Sequence, residues 1–266
     1  MADAPLAQLA VADGIGTITL ENPKANCYSY EMMRALDECI LAARMDRAVK
    51  VIVLTGAGEG FFCAGADIAR LTEMDPEEKY YFCLHANETL LRLEQTPKLV
   101  IAALNGHTVG GGLEVALAAD LRVARAGAAK IGLPEVKLGV LPGTGGTQRL
   151  LRHLGRARAL ELMVTGELLS VEEAQRCGLV QRVVEAADAA AFQAEVRSYA
   201  QVFVPPAGAS LAVGLIKRAV QTGAELPLAE GLALERELQQ RLFCSADARE
   251  GLQANRERRT PGFSGA

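Results

Sequence analysis

Apolar positions along this chain change rhythm several times, and the changes mark its elements. Gly16–Leu20 alternates with the period of a short strand. Lys50–Thr55 (KVIVLT) and Lys98–Leu104 (KLVIAAL) are near-continuous aliphatic runs bounded by turn residues, which predicts strands buried on both faces. Between the strands the period becomes helical. Ser29 stands ready to cap a helix running to about Arg44, with Met33, Leu36, Ile40 and Leu41 on its apolar face. A second helix is predicted over much of Glu77–Leu93, and a third from Gly110–Gly112 to about Ala119, followed by a strand at Leu121–Ala124. This alternation predicts an α/β fold with mostly parallel pairing.

From Thr147 onward the pattern is helical, apart from a strand at about Leu179–Val184. Ser170 and Glu173 form a capping box for a short helix that stops at Gly178. Pro205–Pro206 marks the best boundary, dividing a core of residues 1–204 from a helical region of residues 205–266. That region carries amphipathic segments at Ser210–Gln221, Leu228–Phe243 and Ala246–Arg256.

Composition narrows the picture. Half of the 266 residues are apolar and 23% are charged, the balance of a globular protein with a full core. A net charge of −4 argues against nucleic acid or an anionic membrane as the main partner, so a phosphate-bearing ligand would need a local cationic patch. Six scattered cysteines have no CxxC spacing, and His85, His107 and His153 are too dispersed for a metal site. The N-terminus has neither the basic start nor the apolar run of a signal peptide, and no stretch reaches the ~18 apolar residues of a membrane span. A cytoplasmic protein is expected.

Three segments could carry chemistry. In Phe62–Ile68 (FCAGADI) small residues let a ligand approach the backbone, although Asp67 would equally serve as a helix cap. In Asn105–Glu114 (NGHTVGGGLE) three glycines lie between a buried strand and a helix. They leave N–H groups free at the positive end of the helix, where an anion or a developing oxyanion is favoured; a glycine-rich turn with a dipole-stabilising Glu114 is the plainer alternative. In Ile131–Arg149 (IGLPEVKLGVLPGTGGTQR), Glu135 lies among apolar residues in a stretch too rich in Gly and Pro for a regular element. Such surroundings raise a carboxyl's pKa and suit a proton donor near neutral pH. Gly143–Gly146 lacks the following Lys-Ser/Thr of a P-loop, and no dinucleotide fingerprint follows the first strand, which excludes a nicotinamide-dependent oxidoreductase of that type.

Together and in this order, FCAGADI, NGHTVGGGLEVALAAD, LPEVKLGVLPGTGGTQRL and the late REGLQANRERRTPGF resemble the enoyl-CoA hydratase (crotonase) family over close to the whole chain. The resemblance implies a spiral of ββα turns followed by helices that build a homotrimer or a dimer of trimers. It implies that the Ala66 and Gly111 N–H groups form an oxyanion hole for a thioester oxygen. It also implies that Glu114 and Glu135 add water across the 2,3 double bond of a 2-enoyl-CoA. Coenzyme A would lie along Lys24, Ala25, Ala64, Asp67, Ile68 and Ala69, with Arg258 reaching its phosphates from a neighbouring subunit. No cofactor is implied beyond the CoA of the substrate, and no metal.

Three positions depart from the family pattern. Pro23–Tyr30 reads PKANCYSY where Leu-Asn-Ala-Leu is usual, Ala69 stands where a polar residue often follows Ala-Asp-Ile, and Asn255 replaces an aromatic. Tyr80, Tyr81, Phe82 and Leu84 suit either an acyl pocket or the core; Cys63 reads as small-residue packing, and Asp120 and Arg149 as structural partners. The competing activities are a double-bond isomerase, another enolate-forming acyl-CoA enzyme, and a non-catalytic acyl-CoA-binding protein.

Overall fold

The aliphatic runs form the spine of a six-stranded sheet. The computed structural model describes residues 5–266, so the start of the N-terminal segment read above for targeting signals (residues 1–4) lies outside the described residues. The strands are β1 (Ala7–Ala12), β2 (Ile15–Leu20), β3 (Val51–Gly56), β4 (Phe61–Cys63), β5 (Leu99–Leu104), β6 (His107–Val109), β7 (Leu121–Arg125), β8 (Lys130–Gly132), β9 (Leu169–Ser170) and β10 (Arg182–Val184). The large sheet has the order β1-β2-β3-β5-β7-β10 and the small one β4-β6-β8-β9. Pairing is parallel except at β1–β2 and β8–β9.

The helices are α1 (Tyr30–Met45), α2 (Ile68–Glu73), α3 (Pro76–Glu94), α4 (Gly111–Leu117), α5 (Gly146–Leu154), α6 (Arg156–Thr165), α7 (Val171–Arg176), α8 (Ala189–Gln201), α9 (Ser210–Gly223), α10 (Leu228–Phe243) and α11 (Ala246–Glu257). Each time the chain leaves the large sheet at β3, β5 or β7 it adds a short strand to the small sheet, then turns into a helix. Three such ββα turns follow one another along the chain, and their short strands β4, β6 and β8 lie side by side in the small sheet.

Both faces of the large sheet are covered, which is why β3 and β5 are buried at every position. Ile52, Leu54, Val100, Ala102 and Leu104 face one cluster with Met33, Leu36 and Ile40 of α1 and Leu90 and Leu93 of α3. Val51, Val53, Leu99, Ile101 and Ala103 face a second cluster with Phe192, Val196 and Ala200 of α8. Leu41, expected on the buried face of α1, is 39% exposed and lies at its edge.

Several boundaries follow the expected capping chemistry. The Ser29 side chain accepts from the Met32 N–H, and Ser170 and Glu173 form the reciprocal capping box. Helix α3 begins one residue earlier than periodicity suggested, because Asp75 and Glu78 make a second capping box with Pro76 at the first helical position. The antiparallel β1 and the short strands β4, β6, β8 and β9 were not expected. The two-to-three-residue ones are too short to show any period. Glu135 opens a single 3-10 turn, Glu135–Leu138, where irregular chain was expected. Among the described residues no helix is long and apolar enough to cross a membrane.

Candidate active site

The N-terminus of α4 is fixed by close backbone packing. Gly110, which donates to the Gly132 carbonyl at 2.9 Å, has φ 56° and ψ −137°, a conformation suited to glycine. A Cβ on Gly112 would overlap the Cys63 carbonyl oxygen, so α4 presses directly on the end of β4. The next loop is aligned by a parallel bridge between Tyr28 and Ala66. The Tyr28 N–H donates to Gly65 O at 2.9 Å, and the Asp67 N–H donates to Tyr28 O at 3.1 Å. The Ala66 N–H therefore points to the opposite side of the strand. A Cβ built on Gly65 would lie 2.9 Å from the Gly111 nitrogen, which brings the two loops into contact. Among the described residues neither the Ala66 nor the Gly111 amide donates a hydrogen bond to the chain.

Glu114 is 2% exposed in the first turn of α4, the helix that Gly111 opens. Its Oε1 accepts from the Thr144 N–H at 2.8 Å and the Gly146 N–H at 2.7 Å, and its Oε2 accepts from the Thr144 hydroxyl. Both oxygens accept in these three contacts. The glycine-rich loop read earlier as neither phosphate- nor dinucleotide-binding thus wraps this carboxylate.

Glu135 is placed differently. One of its oxygens faces Gly110, 3.2 Å from where a Cβ would sit, and the other is buried with no hydrogen-bond partner among the described residues. Burial first, and the Glu114 charge in addition, push its pKa up to about 7. The Glu114 charge acting on Glu135 places the two carboxyls within electrostatic reach of each other. A carboxylate held by three donors can accept a proton, and a carboxyl raised to about 7 can give one near neutral pH.

The rim residues also come together. The Ala64 N–H donates to Ala25 O at 3.0 Å, which sets Lys24 (φ 84°) and Ala25 alongside Ala64. Asp67 caps α2 through the Ala69 N–H at 3.0 Å, so its side chain is occupied as a cap, and Ile68 and Ala69 are exposed beside it. Arg258 is not brought to this rim. It closes α11 in the left-handed conformation, exposed, and has no hydrogen bond or ion pair with the Ala64–Ala69 loop among the described residues.

Other residues weighed from the sequence fall elsewhere. The Cys63 thiol is buried and pushed up to about 12, first by burial, which leaves it inert. Asp120 pairs with Lys217 at 2.8 Å and Arg149 with Glu94 at 2.9 Å. His107 accepts from the Lys130 N–H at 3.1 Å, and His153 is driven down to about 4 by burial and then by Arg122. Phe82 is buried against Tyr28, whereas Tyr80, Tyr81 and Leu84 are exposed. No group of side chains able to hold a metal ion is found among the described residues. Tyr28, Thr144 and Gly146 were not singled out from sequence. Thr144 and Gly146 lie 30 or more residues from Glu114, and only the fold brings them to it.

The ββα spiral and the paired loops define a crotonase-fold protein. A crystal structure of an enoyl-CoA hydratase from Geobacillus kaustophilus superimposes with a TM-score of 0.94 at 44% identity, covering 100% of this chain and 98% of that one. The chain belongs to the enoyl-CoA hydratase/isomerase family, whose model matches residues 10–266. It is 40% identical to the (E)-benzylidenesuccinyl-CoA hydratase of Thauera aromatica over 97% of this chain and 98% of that protein. It is 37% identical to the short-chain-enoyl-CoA hydratase of Clostridium acetobutylicum over 92% of each.

Proposed function

We propose that this protein is an enoyl-CoA hydratase, adding water reversibly across the 2,3 double bond of a 2-enoyl-CoA. One observation carries the reading. A carboxylate held by three donors and a carboxyl raised to about 7 lie within electrostatic reach of each other, at the helix start whose Gly111 N–H, like that of Ala66 on the adjoining loop, donates no hydrogen bond among the described residues. The thioester oxygen accepts from the Ala66 and Gly111 amides, and each such donor contributes roughly 3–4 kcal/mol as negative charge builds on that oxygen. Glu114 takes a proton from water as its oxygen bonds to C3. Glu135 delivers a proton to C2. One carboxyl gains the proton that the other loses, and exchange with solvent resets both. The reaction draws on no cofactor or metal, since CoA enters as part of the substrate.

CoA lies along Lys24, Ala25, Ala64, Asp67, Ile68 and Ala69, with Arg258 supplied by a neighbouring subunit of a homotrimer or a dimer of trimers. Residues 205–266 serve assembly. The exposed Leu228, Leu232, Phe243 and Leu252 on α10 and α11 support that role.

The test is loss of the conjugated enoyl-thioester absorbance with crotonyl-CoA, for wild type and for Glu114→Ala and Glu135→Ala. Expected is rapid loss in wild type and a fall of about a hundredfold or more in each variant that still binds CoA. A folded wild type inert towards short, long and branched 2-enoyl-CoAs refutes the reading. Turnover of a 3-enoyl-CoA alone would identify an isomerase, and binding without turnover a binding protein.

A further inference from the structure

Tyr28 belongs to the stretch that departs from the family pattern, and the mechanism above leaves it unused. It is 4% exposed, and its ring stacks on Phe82 with centroids 5.7 Å apart and planes 18° apart. Its backbone forms the bridge to Ala66, and a Cβ on Gly111 would overlap its hydroxyl, so it touches both loops that carry the paired amides. The hydroxyl lies 3.2 Å from Thr144 Oγ1, and that same oxygen is bonded to Glu114 Oε2.

The direction of this chain of hydrogen bonds follows from proton counting. A carboxylate offers no donor, so the single Thr144 hydroxyl proton goes to Glu114. Thr144 Oγ1 then has only lone pairs left for Tyr28, and the phenol must donate. Burial, followed by the Glu114 charge, raises the Tyr28 pKa well above its ordinary value, so that proton stays in place.

We infer that Tyr28 and Thr144 are positioning residues for Glu114: the phenol orients the Thr144 hydroxyl, which holds the carboxylate facing the attacking water. A chain of this kind tightens cooperatively and is weakened as a unit when either link is cut. The inference rests on the hydratase reading.

The test measures kcat and KM on crotonyl-CoA for Thr144→Val, Thr144→Ser, Tyr28→Phe and the Tyr28→Phe/Thr144→Val double variant. Expected losses in kcat are about tenfold for Thr144→Val and about threefold for Tyr28→Phe, each with KM within about twofold. Thr144→Ser recovers most of the loss, and the double variant is no slower than Thr144→Val alone. Additive losses, a Ser variant no better than Val, or an effect on KM alone overturns the inference.

A second readout needs no turnover. The infrared difference between wild type and Tyr28→Phe isolates the Tyr28 C–O stretch, which reports a donating phenol. It shifts in the Thr144→Val background if the relay exists, and an unmoved band overturns it. Should wild type hydrate no 2-enoyl-CoA, the hydratase reading falls, while this band still decides the relay.

Discussion

The seats of Glu114 and Glu135 show how two identical side chains in one region of the fold are held in opposite ways. Glu114 sits in the first turn of a helix, 2% exposed, with a threonine hydroxyl and two loop amides on its oxygens. Glu135 opens a 3-10 turn on a loop whose Val136, Leu138, Val140 and Leu141 are exposed, and its buried oxygen has no hydrogen-bond partner among the described residues. Burial alone does not separate them, because the more buried carboxyl is the one held as an acceptor. Satisfaction of the oxygens does. The difference shows that the hydrogen bonding of a buried acid is set by donors brought from distant sequence, here Thr144 and Gly146, rather than by its immediate neighbours.

The sharpest way to break this contrast is to replace each carboxyl by its amide. In Glu114→Gln the amide oxygen accepts from Thr144 N and Gly146 N, while the NH2 donates to Thr144 Oγ1, whose proton turns to Tyr28. The seat is refilled and the fold kept, but the base is gone. We expect kcat to fall about a hundredfold to ten-thousandfold with Tm essentially unchanged. A variant retaining a tenth of wild-type activity would remove Glu114 from proton transfer.

Glu135→Gln has the next largest expected effect, about a hundredfold in kcat. Its pH profile is the more telling readout. An acid poised at about 7 must be protonated to act, so wild-type kcat/KM for hydration falls as pH rises through roughly that value. The variant's residual rate lacks that limb. A limb that persists unchanged in Glu135→Gln would assign it to another group.

Much of the scaffold was legible in the sequence because its signals are local. The runs at Val51–Leu54 and Leu99–Leu104 announce strands buried on both faces, and Ser29, Ser170 and Glu173 announce helix starts. Strands of two or three residues such as Leu169–Ser170 exist only through their partners, and no period can reveal them. The site divides in the same way. Glu114 follows a glycine run and Glu135 an apolar Gly/Pro stretch, so each stands out locally as a candidate for chemistry. The Tyr28–Thr144 contact joins residues 116 positions apart, and nothing local in either segment signals the other.

The smallest expected effect concerns stability. Burial raises Glu135 from 4.5 to about 7, so between those values the folded chain holds a proton that the unfolded chain has released. The sign follows from linkage: where the native state binds more protons, stability falls with rising pH. The contribution is complete below about 4.5 and is lost as pH rises through about 7, where a largely buried charge must be carried. Discounted for the partial exposure of this carboxyl, the loss amounts to about 1–2 kcal/mol. Glu135→Gln escapes it, since an amide has no charge to bury. At one protein concentration the variant should gain about 2–6 °C in Tm over wild type at pH 8, and little at pH 4.5. An equal gain at both values would trace the effect to packing, whereas a gain confined to pH 8 marks stability given up so that an acid is available for catalysis.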